Sequence, residues 1–379
     1  MKKKILLLID WFVPGYKAGG PIQSCVNLIA CLKNDYDFFV LTTDTDHNET
    51  LPYEGIEPNT WNRQQMPGIP VYYLKKNTFQ KKEIFQIIQQ VNADFIYLNH
   101  LFSPSFVIYP LWLAWRSKIN GKIILSPRGA LHQSALAEKF YKKGPFIQLL
   151  KLSGLIKKIR FQATNDKEAN EITQYLPHAE IVIANNLPSA HQEAPEYCKK
   201  TSGLIKCIIV SRIVPIKNHL FLLNVLKNVR TNVELSIVGH IEDKNYWEEC
   251  LKMIATLPPN IKVSYKGSVQ NKMLTSLLKE HHLFVLPTTG ENFGHSIFEA
   301  WLAGRPVLIS NNTPWRQLPQ DKTGWDISLQ SPELFAEALE EAALWNQQEF
   351  EAYAKSSWMF ANNFIHNPKN KEDYLKLFS

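Results

Sequence analysis

Cysteine is scarce and scattered in this 379-residue sequence: Cys25, Cys31, Cys198, Cys207 and Cys250 are odd in number, and none stands in a Cys-x-x-Cys pair. That pattern excludes a disulfide framework or a structural zinc site as the device that holds the fold. No Gly-x-Gly-x-x-Gly follows an apolar run and no Gly-Lys-Ser/Thr occurs, so neither a nicotinamide site nor a P-loop is supported. Low-complexity tracts are missing as well, which argues against disorder. The longest apolar region, Phe102 to Trp115, is broken by Pro104 and Pro110 and is too short to cross a bilayer. The amino terminus opens with three lysines, as a signal peptide does, but its apolar run is only Ile5–Ile9 and no small-residue cleavage site follows. It reads as a first strand. The expectation is a soluble, cytoplasmic protein.

What is present is an ordinary globular composition, 45% hydrophobic and 20% charged, in a chain long enough for two or three domains at ~100–200 residues each. The net charge of +7 favours an anionic partner such as a nucleotide or a membrane surface. No recognised nucleic-acid-binding motif accompanies it, so nucleic acid is not expected.

Short apolar runs, each followed by a loop and a helical pattern, recur along the chain. In the first half they are Ile5–Ile9, Phe38–Leu41, Val71–Leu74, Phe95–Leu98, Lys122–Leu125 and Phe161–Thr164. In the second they are Cys207–Val210, Glu234–Val238, Lys262–Tyr265, Leu283–Leu286 and Val307–Ile309. Runs apolar on both faces suit the buried strands of parallel sheets. The reading is α/β: two doubly wound Rossmann-like domains facing a central cleft, at 1–188 and 205–350. A polar, proline-containing linker at 189–204 joins them, and a helical segment at 351–379 is expected to pack back towards the first domain. Ligands of such sheets sit at the carboxyl ends of strands, so the loops there carry the functional signal.

The richest of these loops is Pro287 to Pro306. A strand ends near Leu286, a loop carries Glu291, and a helix runs from about Gly294 to Gly304, where Pro306 reinforces the stop. Free amides at the start of that helix form an anion site suited to a diphosphate. Glu299 lies one turn in, on a helix apolar nearly all round. A carboxylate there is costly unless something hydrogen-bonds it, either ribose hydroxyls or else a core arginine or backbone amides. After the strand ending at Ser211, Arg212 and Lys217 stand in a second loop, where two cations can clamp a diphosphate, and Asn218 is placed to cap the next helix, His219–Leu226.

Glu291 and Glu299, eight apart, match the E-x7-E motif of retaining GT-B glycosyltransferases. With Glu291-Asn292-Phe293-Gly294 and Ala303-Gly304-Arg305-Pro306-Val307, the segment closely resembles glycosyltransferase family 4, also described as glycosyl transferases group 1. Asn312-Thr313-Pro314-Trp315-Arg316 is similar to a subgroup found in bacterial polysaccharide assembly. The resemblance is clear over residues 205–327 and looser before them. It implies that Arg212 and Lys217 are the R-x4-K pair on the donor diphosphate, with the amides of Asn292, Phe293 and Gly294 beside them. It implies that Glu299 takes the ribose hydroxyls, that Glu291 holds the transferred sugar, and that Val269, in Lys266-Gly267-Ser268-Val269, contacts the nucleobase.

In the first half the signals are plainer. Gly19 and Gly20, between the first strand and a helix from Ile22, suit either a tight turn or close approach of backbone to phosphate. The family's glycine-rich loop at this place implies donor contact. His100 resembles a family histidine near the reacting sugar, while a lone histidine is as readily structural. Arg128, in Ser126-Pro127-Arg128-Gly129, stands at a strand end facing either acceptor or donor, replaces a histidine common in the family, and is assigned to the donor side. Asp44-Thr45-Asp46 superficially matches a metal-binding D-x-D but is read as a solvated loop, and no metal ion or other cofactor is expected.

Taken together these readings describe a hexosyltransferase. It would move a sugar from a UDP- or GDP-sugar, with retention, to a hydroxyl of a glycan or lipid-linked acceptor in cell-surface polysaccharide synthesis. A sugar-nucleotide epimerase of similar fold and a non-catalytic nucleotide-sugar-binding protein are the alternatives. Residues 139–160 carry Lys139, Lys142, Lys143, Lys151, Lys157, Lys158 and Arg160 among apolar residues at roughly helical spacing. That pattern suits either a basic amphipathic surface on an anionic membrane or a helix packed in the first domain. The first alternative would make the enzyme peripheral at the inner face of the cell membrane.

Overall fold

Ile5, Leu6, Leu7 and Leu8 are all fully buried, yet successive side chains enter different cores: Ile5 and Leu7 join one cluster, Leu6 and Leu8 another. A strand buried on both faces needs a helix layer on each side, and that requirement fixes the architecture. The structure is a computed structural model describing residues 2–76, 78–132, 135–136, 140–188 and 194–379.

Two compact units emerge, residues 1–187 with 368–379 and residues 188–367. The first holds an eight-stranded sheet of β1 (Lys4–Leu8), β2 (Asp37–Thr43), β3 (Trp61–Asn62), β4 (Val71–Leu74), β5 (Phe95–Asn99), β6 (Lys122–Ser126), β7 (Ile159–Ala163) and β8 (Glu180–Ile183). Their order is β3-β4-β2-β1-β5-β6-β7-β8, parallel except for the β3–β4 pair. The second unit holds β9 (Leu204–Val210), β10 (Asn232–Val238), β11 (Ile261–Tyr265), β12 (Leu283–Leu286), β13 (Val307–Ser310) and β14 (Gly324–Ile327), in the order β11-β10-β9-β12-β13-β14 and all parallel.

Both sheets reverse their winding direction once. In the first unit the chain leaves β1 for β2 on one side and returns to β5 on the other; in the second it leaves β9 for β10 and returns to β12. At such a reversal the following loops diverge and open a crevice beyond the carboxyl ends of the strands. These two places position everything that follows.

All eleven strands expected from the apolar runs are present. The expected helices at 22–32 and 219–226 are Gly20–Leu32 and His219–Leu226. The segments 189–204 and 351–379 differ from their reading as single pieces. Residues 189–193 lie outside the described residues, and 194–203 are strapped to the second unit rather than loose. There the buried Lys200 ammonium donates to the carbonyls of Ala343 at 2.8 Å and Trp345 at 3.0 Å. The helix Gln347–Ile365 belongs to the second unit, while Pro368–Leu377 completes the first, where Tyr374, Leu377 and Phe378 enter the core.

Candidate functional site

The loops that follow β9 and β12 meet beyond the sheet of the second unit. After β9 comes a short 3-10 turn, Pro215–Lys217, then the helix His219–Leu226. Asn218 occupies the N-cap position, but in a left-handed conformation (φ 62°) and without a side-chain capping bond, so it makes the turn rather than the cap. After β12 the loop is pinned to its neighbour: Thr289 donates its amide, and Thr288 its hydroxyl, to the Ile216 carbonyl, each at 2.9 Å.

That pinning brings the Lys217 ammonium to 2.5 Å from Glu291 Oε2, with both side chains largely buried. Burial pushes the Glu291 carboxyl up, but the Lys217 charge and hydrogen bond, the Asn292 amide and His295 outweigh it. The net shift is below the usual carboxylate range. Arg212, more exposed, pairs instead with Glu242 at 2.6 Å. The expected cation pair is therefore in the expected loop, but each cation carries a carboxylate that the spacing alone did not reveal. Each also keeps N–H donors with no described partner.

Gly294 caps the helix His295–Leu302 with φ 79°. A side chain there would be strained, and its Cβ would meet Ile297 Cδ1 at 2.6 Å and Glu291 Cγ at 3.2 Å. No described residue accepts a hydrogen bond from the amides of Phe293 or Gly294. The start of a helix is thus left with free donors beside Lys217.

Glu299, half-buried on the same helix, has no hydrogen-bond or ion-pair partner among the described residues. Burial alone pushes its carboxyl up to about 7. Arg305, the arginine of that core, does not pair with it: it is fully buried and spends its guanidinium on carbonyls. These are Leu278 at 3.0 Å, Gly304 at 3.1 Å, Lys279 at 2.8 Å and Glu196 at 2.6 Å.

Residues from the Asn312–Arg316 segment hold this loop from behind. Glu291 donates its amide to the Asn312 carbonyl at 3.2 Å, and Trp315 Nε1 donates to the Phe293 carbonyl at 2.5 Å. Phe293, Phe298, Trp301, Trp315 and Phe364 form one aromatic cluster beneath it. Gly239 was also missed. It has φ 147°, and a Cβ would come within 1.8 Å of the Ser211 carbonyl, so only glycine lets the end of β10 pass the loop after β9. Val269, half-buried two residues past Gly267 (φ 73°), packs against the core of the second unit.

In the first unit, Gly19 caps Gly20–Leu32 in a conformation open to glycine (φ 70°, ψ −124°). The loop before it is held by Asp46, whose Oδ2 accepts the amides of Tyr16 at 2.9 Å and Lys17 at 3.2 Å. Asp44 and Asp46 are therefore not a solvated loop: both are buried and bonded to backbone amides. Among the described residues no group of three metal-ligating side chains converges.

His100 follows β5 in a left-handed conformation (φ 69°), its amide bonded to the Ser126 carbonyl. Its edge is exposed, but crowding around the ring and the charge of Lys143 lower the imidazole pKa. Arg128, read as a donor-side contact, is hydrogen-bonded within its own unit. Its Nη2 donates to Tyr97 Oη and Asn99 Oδ1, both at 3.0 Å, and its Nη1 donates to Asn186 Oδ1. The guanidinium is committed to neutral acceptors inside its own unit.

Residues 205–343 match the model of the family described as glycosyl transferases group 1. That part of the second unit is a glycosyltransferase domain. Solved structures share the fold along the whole chain. HepE of Anabaena, in complex with UDP and glucose, is 15% identical with a TM-score of 0.71, and the match covers 99% of this chain and 98% of that one. Sucrose-phosphate synthase from Thermosynechococcus elongatus is 15% identical with a TM-score of 0.68, covering 100% and 98%. S. aureus TarM, in complex with fondaparinux, α-GlcNAc-glycerol and UDP, is 13% identical with a TM-score of 0.69, covering all of both chains. The two-unit plan is that of the GT-B glycosyltransferases. No curated protein sequence matches the chain.

Proposed function

We propose that this glycosyltransferase moves a hexose from a UDP- or GDP-sugar to a hydroxyl of a glycan or lipid-linked acceptor, with retention of anomeric configuration. The observation that carries the proposal is the grouping at the β9/β12 reversal. A largely buried Lys217–Glu291 pair, two unused amides at a helix start and the unpartnered Glu299 carboxylate stand on two adjoining loops and the helix that follows the second. Nothing in the packing of the second unit requires that carboxylate, whereas a ribose diol would give it two hydrogen bonds.

In this reading Arg212, Lys217 and the amides of Phe293 and Gly294 take up the charge of the diphosphate as it leaves, which is electrostatic support set in place before reaction. Glu291, kept ionised by Lys217, holds the sugar hydroxyls and supports positive charge growing at the anomeric carbon. The bond from that carbon to the diphosphate oxygen breaks as the bond to the acceptor oxygen forms on the same face. The acceptor proton then passes to the departing phosphate oxygen. The protein's work is positioning and charge, and no metal ion is called for, so chelators leave the rate unchanged. Support for the UDP half of the donor choice comes from HepE and TarM, both solved with UDP.

We further propose attachment at an anionic membrane through residues 140–160; Lys139 lies outside the described residues. The helix Phe140–Leu152 contains Pro145 and turns Ile147 and Leu150 inward. Tyr141, Leu149 and Leu152 remain exposed beside Lys142, Lys157 and Lys158. Exposed apolar and cationic groups thus occur together in this segment, which suits an interfacial contact, although Arg160 is buried and paired with Glu180 at 2.6 Å and takes no part.

Transfer is tested by incubating UDP- and GDP-hexoses with glycan acceptors and reading the product's anomeric signal by proton NMR. The α-configuration from an α-linked donor supports the proposal, and the β-configuration overturns retention.

A further inference from the structure

The first unit has its own reversal of winding, between β1 and β5, and one carboxylate stands at it. Asp10 lies just past β1. Its carbonyl accepts the Thr43 hydroxyl at 2.6 Å and the Thr43 amide at 3.4 Å, which ties it to the end of β2. Its carboxylate turns the other way. Oδ1 accepts the hydroxyl of Ser103 at 2.8 Å, and Ser103 belongs to the loop that follows β5. Asp10 therefore spans the two loops that diverge at the reversal, where α/β sheets bind ligands beyond their strand ends.

Oδ2 takes no hydrogen bond from any other described residue. Desolvation raises the carboxyl's pKa against the opposing pull of Ser103, its own amide, His47 and Lys76. A half-buried carboxylate with one oxygen oriented and the other unused is poorly solvated as it stands, and an incoming hydroxyl would satisfy it. Trp11, the next residue, is half-buried with its ring edge-on to His47 at 4.4 Å. Its indole N–H has no described acceptor. An unpaired carboxylate oxygen, an indole N–H and an aromatic surface are the groups that recognise sugar hydroxyls and the apolar face of a pyranose.

We infer that Asp10, oriented by Ser103, is an acceptor-binding residue whose free oxygen takes a hydrogen bond from a hydroxyl of the acceptor glycan. This rests on the glycosyltransferase reading and extends it from the donor to the acceptor. Ser103 is the positioning residue, acting on the acceptor through the orientation it gives the carboxylate, while its Oγ also accepts the Phe106 amide at 3.2 Å.

The test is saturation-transfer NMR of the full-length protein with a panel of methyl and octyl hexosides, beside thermal shift with UDP and GDP. A hydrogen bond to a charged group is worth enough that Asp10→Asn should weaken hexoside binding about tenfold or more, and Ser103→Ala about threefold. Melting temperature and nucleotide shift should stay unchanged in Asp10→Asn, which a merely structural role would not allow; Ser103→Ala also loses the bond from the Phe106 amide, so its affinity is read on folded protein. Asp10→Glu should restore part of the binding. Unaltered hexoside affinity in Asp10→Asn overturns the inference, as does a wild type that binds no hexoside of the panel. Should Asp10→Asn fail to fold, unaltered affinity in Ser103→Ala overturns it instead. A protein that binds hexosides through Asp10 but neither nucleotide contradicts the donor reading and leaves this one standing.

Discussion

Lys217 and Glu291 are seventy-four residues apart in sequence and 2.5 Å apart in space, and the contact joins the two loops that flank the reversal of the second sheet. A cation for a leaving diphosphate and a carboxylate for the sugar are thereby held in fixed relation before any ligand arrives. Each also sets the state of the other: the ammonium keeps the carboxylate ionised despite its burial.

Lys217→Ala removes that support on two counts. Turnover should fall on the order of 10²-fold, the scale of losing one charge-stabilising donor. Because the folded pKa of Glu291 lies below its ordinary value, the pair's stabilisation is present above the ordinary carboxylate range and lost as pH falls through it. Wild type should therefore lose stability on acidification in a window where Lys217→Ala loses less. Steady-state kinetics and melting curves from pH 3 to 7 check both parts, and wild-type turnover in the variant refutes the assignment.

Glu299 behaves oppositely. Its folded pKa of about 7 exceeds the ordinary 4.5, so between those values the fold holds a proton that the unfolded chain does not. Stability should rise as pH drops from about 7 towards 4.5, and Glu299→Gln should flatten that rise. Nucleotide binding by the ionised form should release protons below about pH 7. Calorimetry in buffers of different ionisation enthalpy reads that release, which Glu299→Gln abolishes while weakening nucleotide affinity.

Arg128→Met should destabilise the first unit, because it strands the buried acceptors of Asn99, Tyr97 and Asn186, at ~1–3 kcal/mol for each group left unsatisfied. Nucleotide affinity in the folded fraction should not change. A selective loss of nucleotide affinity at unchanged melting temperature would return Arg128 to the donor site.

Both sheets were legible because their central strands are apolar on both faces, and the loops after β9 and β12 could be located from where those runs stop. Three strands were not. β3 is a two-residue edge pair, β8 is largely solvent-facing, and Gly324-Trp325-Asp326-Ile327 mixes poor strand formers into β14. In the site, Glu299 stood out as a carboxylate on an apolar helix, and Glu291 through its spacing of eight from it. The partners Glu242 and Asn312 could not, since pairing across loops leaves no local pattern. The partners of Arg128 were illegible for the same reason. Its position at a strand end was right, but the direction of its side chain is set by Asn99 and Asn186, far away in sequence. Asp46 looked like half of a solvated motif until its amide partners on Tyr16 and Lys17 came into view.

Membrane attachment makes a separate expectation. Vesicles with anionic lipid should co-sediment the protein at low salt, at ~1 kcal/mol per cation near the surface, and release it at high salt. Replacing Lys142, Lys157 and Lys158 with Glu should abolish the binding without lowering the melting temperature, since all three are exposed. Equal recovery on neutral vesicles rules the attachment out.

The central claim, that the β9/β12 reversal binds the donor nucleotide, is tested most directly by titrating UDP and GDP into wild type, Lys217→Ala and Glu299→Gln by calorimetry. One of the two nucleotides should bind wild type with 1:1 stoichiometry, and each substitution should weaken it about tenfold or more, the scale of a lost charged hydrogen bond. Binding of equal strength in all three proteins, or none in wild type, contradicts the account.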